Sequence, residues 1–181
     1  MIESIKKSIV VLFLVAAFTS CNQGQTLQTY YVDNELKPGF ASFDVPTSLI
    51  NVDDVKMTDD QREAYKSVSK LNVLTYIEEN TDAVEYKAEL EKVKVILKDT
   101  KYEELMRGGN STDGKFVVKF LGDIESIDEL IIFGNANNRG FMIARILGNN
   151  MNAAKIMSLQ SVLKDANFED TDLSGLTDFF K

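Results

Sequence analysis

Cys21 is the only cysteine in a chain of 181 residues, so no disulfide can form within it and its fold must be held by a hydrophobic core. The residues before that cysteine add a second constraint. Lys6 and Lys7 precede an unbroken apolar run from Ile9 to Phe18, and Thr19-Ser20-Cys21 follows. A membrane-crossing helix needs roughly 20 apolar residues to span about 30 Å of hydrocarbon, and this run supplies about half of that. With no stop-transfer flank, it reads as the core of a signal peptide covering residues 1–20.

The tetrapeptide Phe18-Thr19-Ser20-Cys21 resembles the lipobox of bacterial lipoproteins, with Phe18 standing where leucine is usual. The resemblance implies cleavage before Cys21, a thioether from its sulfur to diacylglycerol, and attachment to a membrane through acyl chains. One chain anchors only marginally, at roughly 0.8 kcal/mol per buried methylene, whereas diacylation holds firmly. The alternative is an ordinary secreted protein whose cysteine lies near the cut by chance.

Removal of residues 1–20 leaves enough chain for one domain with a real core and too little for two. The precursor carries a formal charge of −8. Losing Lys6, Lys7 and Glu3 takes the mature chain to about −9. A surface of that sign repels phosphate backbones, so nucleic acid is not an expected partner.

Residues 21–29 read as a lipidated tether, residues 30–168 as a single domain and residues 169–181 as an acidic tail. Leu27, Tyr30, Tyr31 and Leu36 predict a short helix or docking segment ended by Pro38-Gly39. Ala41, Phe43 and Val45 alternate with Ser42 and Asp44, which predicts a half-buried strand stopped by Pro46. Thr58-x-x-Gln61 is a capping box for a helix over Asp59 to Lys70, and Leu71 to Ile77 is rich in strand formers. Asp82 caps the longest helix, where Tyr86, Leu90, Val93 and Leu97 recur at spacings of a helical stripe.

Thr100-x-x-Glu103 predicts a further helical turn with Tyr102, Leu105 and Met106, capped by Gly108, followed by a loop from Gly109 to Gly114. Strands follow near Lys115–Leu121, Asp128–Phe133 and Gly140–Leu147, the last two forming a hairpin. Asn150 or Asn152 caps a final helix with Ile156, Leu159, Leu163 and Ala166 on one face. The order predicts an α+β fold: a single mixed, largely antiparallel sheet of about five strands with helices mostly on one face.

The run Lys101-Tyr102-Glu103-Glu104-Leu105-Met106, then Lys115-Phe116-Val117-Val118-Lys119, Glu129-Leu130-Ile131-Ile132 and Phe141 to Gly148 resembles a family of small Bacteroidota lipoproteins. Their shared domain is known only as a domain of unknown function. The glycine-led turn from Gly148 to Asn152 resembles the family's entry into its last helix, although Asn149 and Asn150 stand where acidic residues are usual. The resemblance implies a lipoprotein set in envelope signalling, and brings no established activity. Because Asn22-Gln23-Gly24-Gln25 lacks the acidic signal associated with surface export in Bacteroidota, the expected anchor lies in the outer membrane, facing the periplasm.

The chain has no histidine. Ser-His-Asp and Cys-His catalysis, histidine-ligated zinc and imidazole acid–base work are therefore excluded, and lipidation of Cys21 would remove thiolate chemistry as well. What remains is carboxylate, Lys, Tyr or Ser chemistry. The pairs Asp53-Asp54, Asp59-Asp60, Glu78-Glu79 and Glu103-Glu104 point apart as sequence neighbours and read as solvated faces. Asp170 and Asp172 lack the glycine and bidentate glutamate of a calcium loop. Gly108-Gly109 with Gly114-Lys115 lacks the order of a phosphate-binding loop.

Tyr30 and Tyr31 are candidate contacts for another envelope protein, and Arg107 and Arg139, at loop ends, for an anionic ligand. No cofactor or metal is expected. The sequence therefore points to a membrane-anchored, non-catalytic envelope binding or signalling module. A carboxylate- or Tyr/Ser-based periplasmic hydrolase or small-ligand carrier is the alternative, and a surface adhesin the third reading.

Overall fold

The computed structural model describes residues 24–49, 52, 55–77, 82–136 and 139–165. In chain order these form α1 (Leu27–Asn34), β1 (Phe40–Pro46), a single 3-10 turn (Thr47–Leu49), α2 (Asp59–Ser67) and β2 (Val68–Ile77). Then come α3 (Ala83–Ile96), β3 (Glu103–Asn110), β4 (Gly114–Asp123), β5 (Ser126–Ala136), β6 (Gly140–Met151) and α4 (Ala153–Asp165). The six strands make one open sheet in the order β1-β2-β6-β5-β4-β3, and every neighbouring pair is antiparallel.

The α+β class is as expected, while the finer reading is corrected on three counts. The sheet has no parallel pair among the described residues, because β3 to β6 are joined by short turns and such turns can only link antiparallel strands. It has six strands rather than about five. The helices divide evenly between the faces instead of gathering on one.

The extra strand is β3, which the sequence presented as a helical turn. The cap-like spacing of Thr100 and Glu103 is overruled by the turn that follows. Asn110 Oδ1 accepts hydrogen bonds from the backbone N–H of Thr112 and Asp113 at 2.7 and 2.8 Å, closing a tight hairpin. Gly109 has φ 98°, and a Cβ there would collide with the Gly114 carbonyl. Gly108 therefore lies within a strand and caps no helix.

Local signals elsewhere hold. Thr58 and Gln61 form the reciprocal capping box at the start of α2. Asp82 caps α3 through a 2.6 Å bond from the Val84 N–H. Between the two asparagines offered for α4, Asn152 is the cap, accepting from the Lys155 N–H at 3.2 Å. Asn150 instead takes φ 52° and its Oδ1 lies 2.9 Å from Ser126 Oγ. α1 begins at Leu27, inside the stretch expected to be tether, with Thr26 and Thr29 as its capping box.

The strand pleat sorts the core into two layers. On one face α1 and α3 bury Leu27, Tyr30, Tyr31, Tyr86, Leu90, Val93 and Ile96 against Leu74, Tyr76, Ile131, Phe133, Phe141 and Ile143. The stripe Tyr86, Leu90, Val93 and Leu97 lies in this layer as the periodicity predicts. Phe40, which the alternation of β1 did not count, sits here too, its ring centroid 4.5 Å from that of Tyr76. On the other face α2 and α4 bury Ala64, Ile156, Leu159 and Val162 against Val118, Phe120, Ile127, Leu130 and Met151. Gln61 ties these two helices by donating to the Ser158 carbonyl and Ser161 Oγ, each at 3.0 Å.

α1 is fixed to the sheet by a buried ion pair as well as by apolar contact. Arg145 on β6 donates to both carboxylate oxygens of Glu129 on β5, at 2.6 and 3.1 Å, and its remaining Nη1 reaches Gln28 of α1 at 2.7 Å. The two side chains are only 3% and 9% exposed. Removing one partner leaves the other charge buried and unpaired, so Arg145→Ala or Glu129→Ala should each cost about 3–5 kcal/mol. Joint replacement by Arg145→Met and Glu129→Leu should restore most of the loss. Urea unfolding of the full chain measures this, and single substitutions costing under about 1 kcal/mol would contradict the pair's role.

Candidate functional site

The helices on the first face do not reach its far edge. α1 lies over β1, β2 and β6, as shown by Tyr31 Oη bonding Asp44 Oδ1 at 3.0 Å and by the contact of Gln28 with Arg145. α3 lies over β6 and β5, where the Tyr86 ring stands 6.3 Å from Phe141 and its hydroxyl accepts from Asn135 Nδ2 at 2.8 Å. β3 contributes no residue to the buried layer on this face among the described residues. A groove of about 740 Å³ therefore opens between α3 and the β3–β4 hairpin.

Its floor is apolar, formed by Leu90, Leu97, Val117 and Phe133 with the Tyr86 ring. Lysines rise along both rims for reasons of periodicity. On α3, Lys87 and Lys94 lie three and four residues from Leu90 and so share its flank, and Lys98 follows the C-cap residue Leu97. On β4, Lys115, Val117 and Lys119 alternate onto one face of the strand. Arg107 stands across from Val117, and Glu104 across from Lys119. In a regular strand Glu104 and Arg107 would face opposite ways, and the irregularity between Glu104 and Met106 brings both to the groove.

The result is a cationic surface on an acidic protein. Among the described residues, six lysines and arginines line the groove, against a single carboxylate. Glu104 accepts from Arg107 Nε at 2.5 Å. This bond holds the Glu104 carboxyl below the usual carboxylate range and raises Arg107 further. Lys94 pairs with Glu91 at 2.7 Å, and Lys119 Nζ donates to the Tyr102 carbonyl at 2.6 Å. Lys87 and Lys115 have no ion-pair or hydrogen-bond partner among the described residues.

The residues singled out from sequence fall in different places. Arg107 lines the groove, whereas Arg139 is exposed in the β5–β6 turn and lies outside it. Tyr30 and Tyr31 are buried, so they present no docking surface. Tyr30 Oη donates to Glu89 at 2.8 Å, and burial with the neighbouring carboxylates Glu89 and Asp44 pushes both phenols well above their ordinary range. Asp44 also accepts from Asn72 and pairs with Lys70 at 2.5 Å.

Glu103 pairs with Phe120 across the hairpin and Glu104 with Lys119, so these neighbours point to opposite faces. Asp60 and Glu63 are held by Lys155 at 3.1 and 2.6 Å. Gly108, Gly109, Gly114 and Lys115 belong to a strand–turn–strand unit and make no phosphate loop. Cys21, Asp53, Asp54, Glu78, Glu79, Asp170 and Asp172 lie outside the described residues.

The lysines were the residues that sequence reading missed. The signal was present as Lys87-x-x-Leu90-x-x-x-Lys94-x-x-Leu97-Lys98 on a helix and Lys115-x-Val117-x-Lys119 on a strand. Net charge concealed it, because a total of −8 says nothing of where the cations gather.

No curated protein and no solved structure matches the chain. A family model described as Domain of unknown function (DUF4252) matches residues 31–159, a span that runs from α1 into α4 and takes in the whole groove. The chain belongs to the DUF4252 family.

Proposed function

We propose that this protein is a non-catalytic binding module of the cell envelope, anchored to a membrane through acyl chains on Cys21, whose groove between α3 and the β3–β4 hairpin captures an anionic ligand. The observation that carries the reading is the groove itself: among the described residues, six cations surround an apolar floor with a single carboxylate, on a chain of net charge −8. Its volume falls within the roughly 300–1,000 Å³ of small-ligand sites. Binding is favoured over hydrolysis because the one lining carboxylate among the described residues is engaged by Arg107 and the chain has no histidine to act as a base. The anchor is supported by the apolar run from Ile9 to Phe18 ending at a lone cysteine, and an outer-membrane site facing the periplasm belongs to the same proposal.

Two measurements test this. Cells fed an alkyne-tagged fatty acid should yield a labelled protein in the membrane fraction, with Cys21→Ala abolishing both the label and the fractionation. An unlabelled wild-type protein would remove the anchor.

Anilinonaphthalene sulfonate, an apolar anion, should bind the full chain saturably and weaken steeply with added salt. Glu104→Gln releases Arg107 and should tighten that binding severalfold, while Lys94→Glu should weaken it. Binding indifferent to salt and to both substitutions would overturn the assignment of the groove.

A further inference from the structure

We propose that the ligand of this groove is a single-chain anionic amphiphile, an acyl or alkyl chain ending in a carboxylate or phosphate, with its head at Lys87 and Lys115 and its chain over Leu90, Val117, Phe133 and Leu97. The inference rests on the binding-module reading and specifies what is bound.

Charge compensation within the groove locates the head. Lys94, Arg107 and Lys119 are occupied by Glu91, Glu104 and the Tyr102 carbonyl. Lys98 lies in the field of Glu91. Lys87 and Lys115 have no such partner among the described residues, and they stand at the same end. Lys115 is the cross-strand neighbour of Asn135, and Asn135 donates to the hydroxyl of Tyr86, the residue before Lys87. An anion gains most where the cations are otherwise unmatched.

The floor excludes a bare inorganic anion as the fitting ligand, since Leu90, Leu97, Val117 and Phe133 offer it nothing. An alkyl chain laid on them gains roughly 25 cal/mol for each Å² of apolar surface removed from water. The lysine stems along the rims can cover its flanks while keeping their charges in water. From Lys87 to the C-cap residue Leu97 the α3 rim is about 15 Å long. One leaflet of bilayer hydrocarbon is about 15 Å deep, so the groove matches the chain of an ordinary membrane amphiphile.

The far end of the groove adjoins the point where the chain enters the fold. The Leu27 N–H donates to Tyr102 Oη at 3.2 Å, and the carbonyl of the same tyrosine receives Lys119. Four residues separate Cys21 from Thr26, and the five steps between them reach at most about 18 Å. An acylated Cys21 would hold the Leu97–Lys119 end toward the membrane, with the head end farther from it.

The test uses the full chain in neutral phosphatidylcholine discs, with diazirine-tagged palmitate, hexadecyl phosphate and hexadecanol as photoprobes. Palmitate or hexadecyl phosphate should crosslink to peptides carrying Leu90, Leu97 or Val117 about tenfold more than hexadecanol, a difference of roughly 1.4 kcal/mol. The stronger acid probe identifies the head as carboxylate or phosphate. Lys87→Glu with Lys115→Glu should remove that preference while circular dichroism stays unchanged.

Equal labelling by the alcohol, labelling on the α2–α4 face, or equal displacement by inorganic phosphate or an acidic peptide would overturn the proposal. Running the probes on Cys21→Ala separates the two claims. Groove labelling that persists without an acylated cysteine leaves the ligand class standing when the anchor fails, and its loss beside an acylated wild type does the reverse.

Discussion

One fourteen-residue helix has to carry the chain from β2 to β3, across β6, β5 and β4, and this crossing shapes one whole face of the protein. At 1.5 Å per residue α3 is about 21 Å long. The lateral distance from β2 to β3 is about 19 Å for four strand spacings. A single helix about 10 Å wide cannot cover such a face, and α1 spends its apolar side over β1 and β2. Among the described residues the uncovered remainder is the β3–β4 surface, and the position of the groove follows from it.

The position of α1 decides which part stays open. It is held at the opposite side of the sheet by the Arg145–Glu129–Gln28 cluster and by Tyr31 on Asp44, and it meets α3 through Tyr30 and Glu89. These polar contacts are directional, where hydrophobic burial alone would let the helix slide. They set α1 over β1, β2 and β6, so α3 takes the centre and the groove takes the edge. Charge then distinguishes the groove from a mere packing gap, because an undersized cover alone would leave apolar residues or mixed charges beside it.

Elements with strong local chemistry were legible from sequence. The Thr58–Gln61 box, the Tyr86-to-Leu97 stripe and the strands after Gly114 all appear where their patterns placed them. β3 was not, because Thr100 and Glu103 imitate a cap while the features that decide the outcome, the Asn110 turn and the positive φ of Gly109, declare themselves only once the hairpin forms. Helix sidedness was likewise hidden, since an amphipathic stripe says that a face is buried and not against which side of a sheet. Arg107 was reached from its residue type alone. Its companions Lys87, Lys94, Lys115 and Lys119 lie on two elements that only the fold brings together, and the acidic total masked them.

The central claim is that this open, cationic face is where the protein meets its ligand. Lysine-acetylation footprinting of the full chain, read by mass spectrometry with and without palmitate, tests it most directly. The account predicts that Lys87, Lys94 and Lys115 lose reactivity when the amphiphile is present, while Lys66 and Lys155 on the α2–α4 face keep theirs. Protection spread evenly over all five lysines, or confined to Lys66 and Lys155, would contradict it.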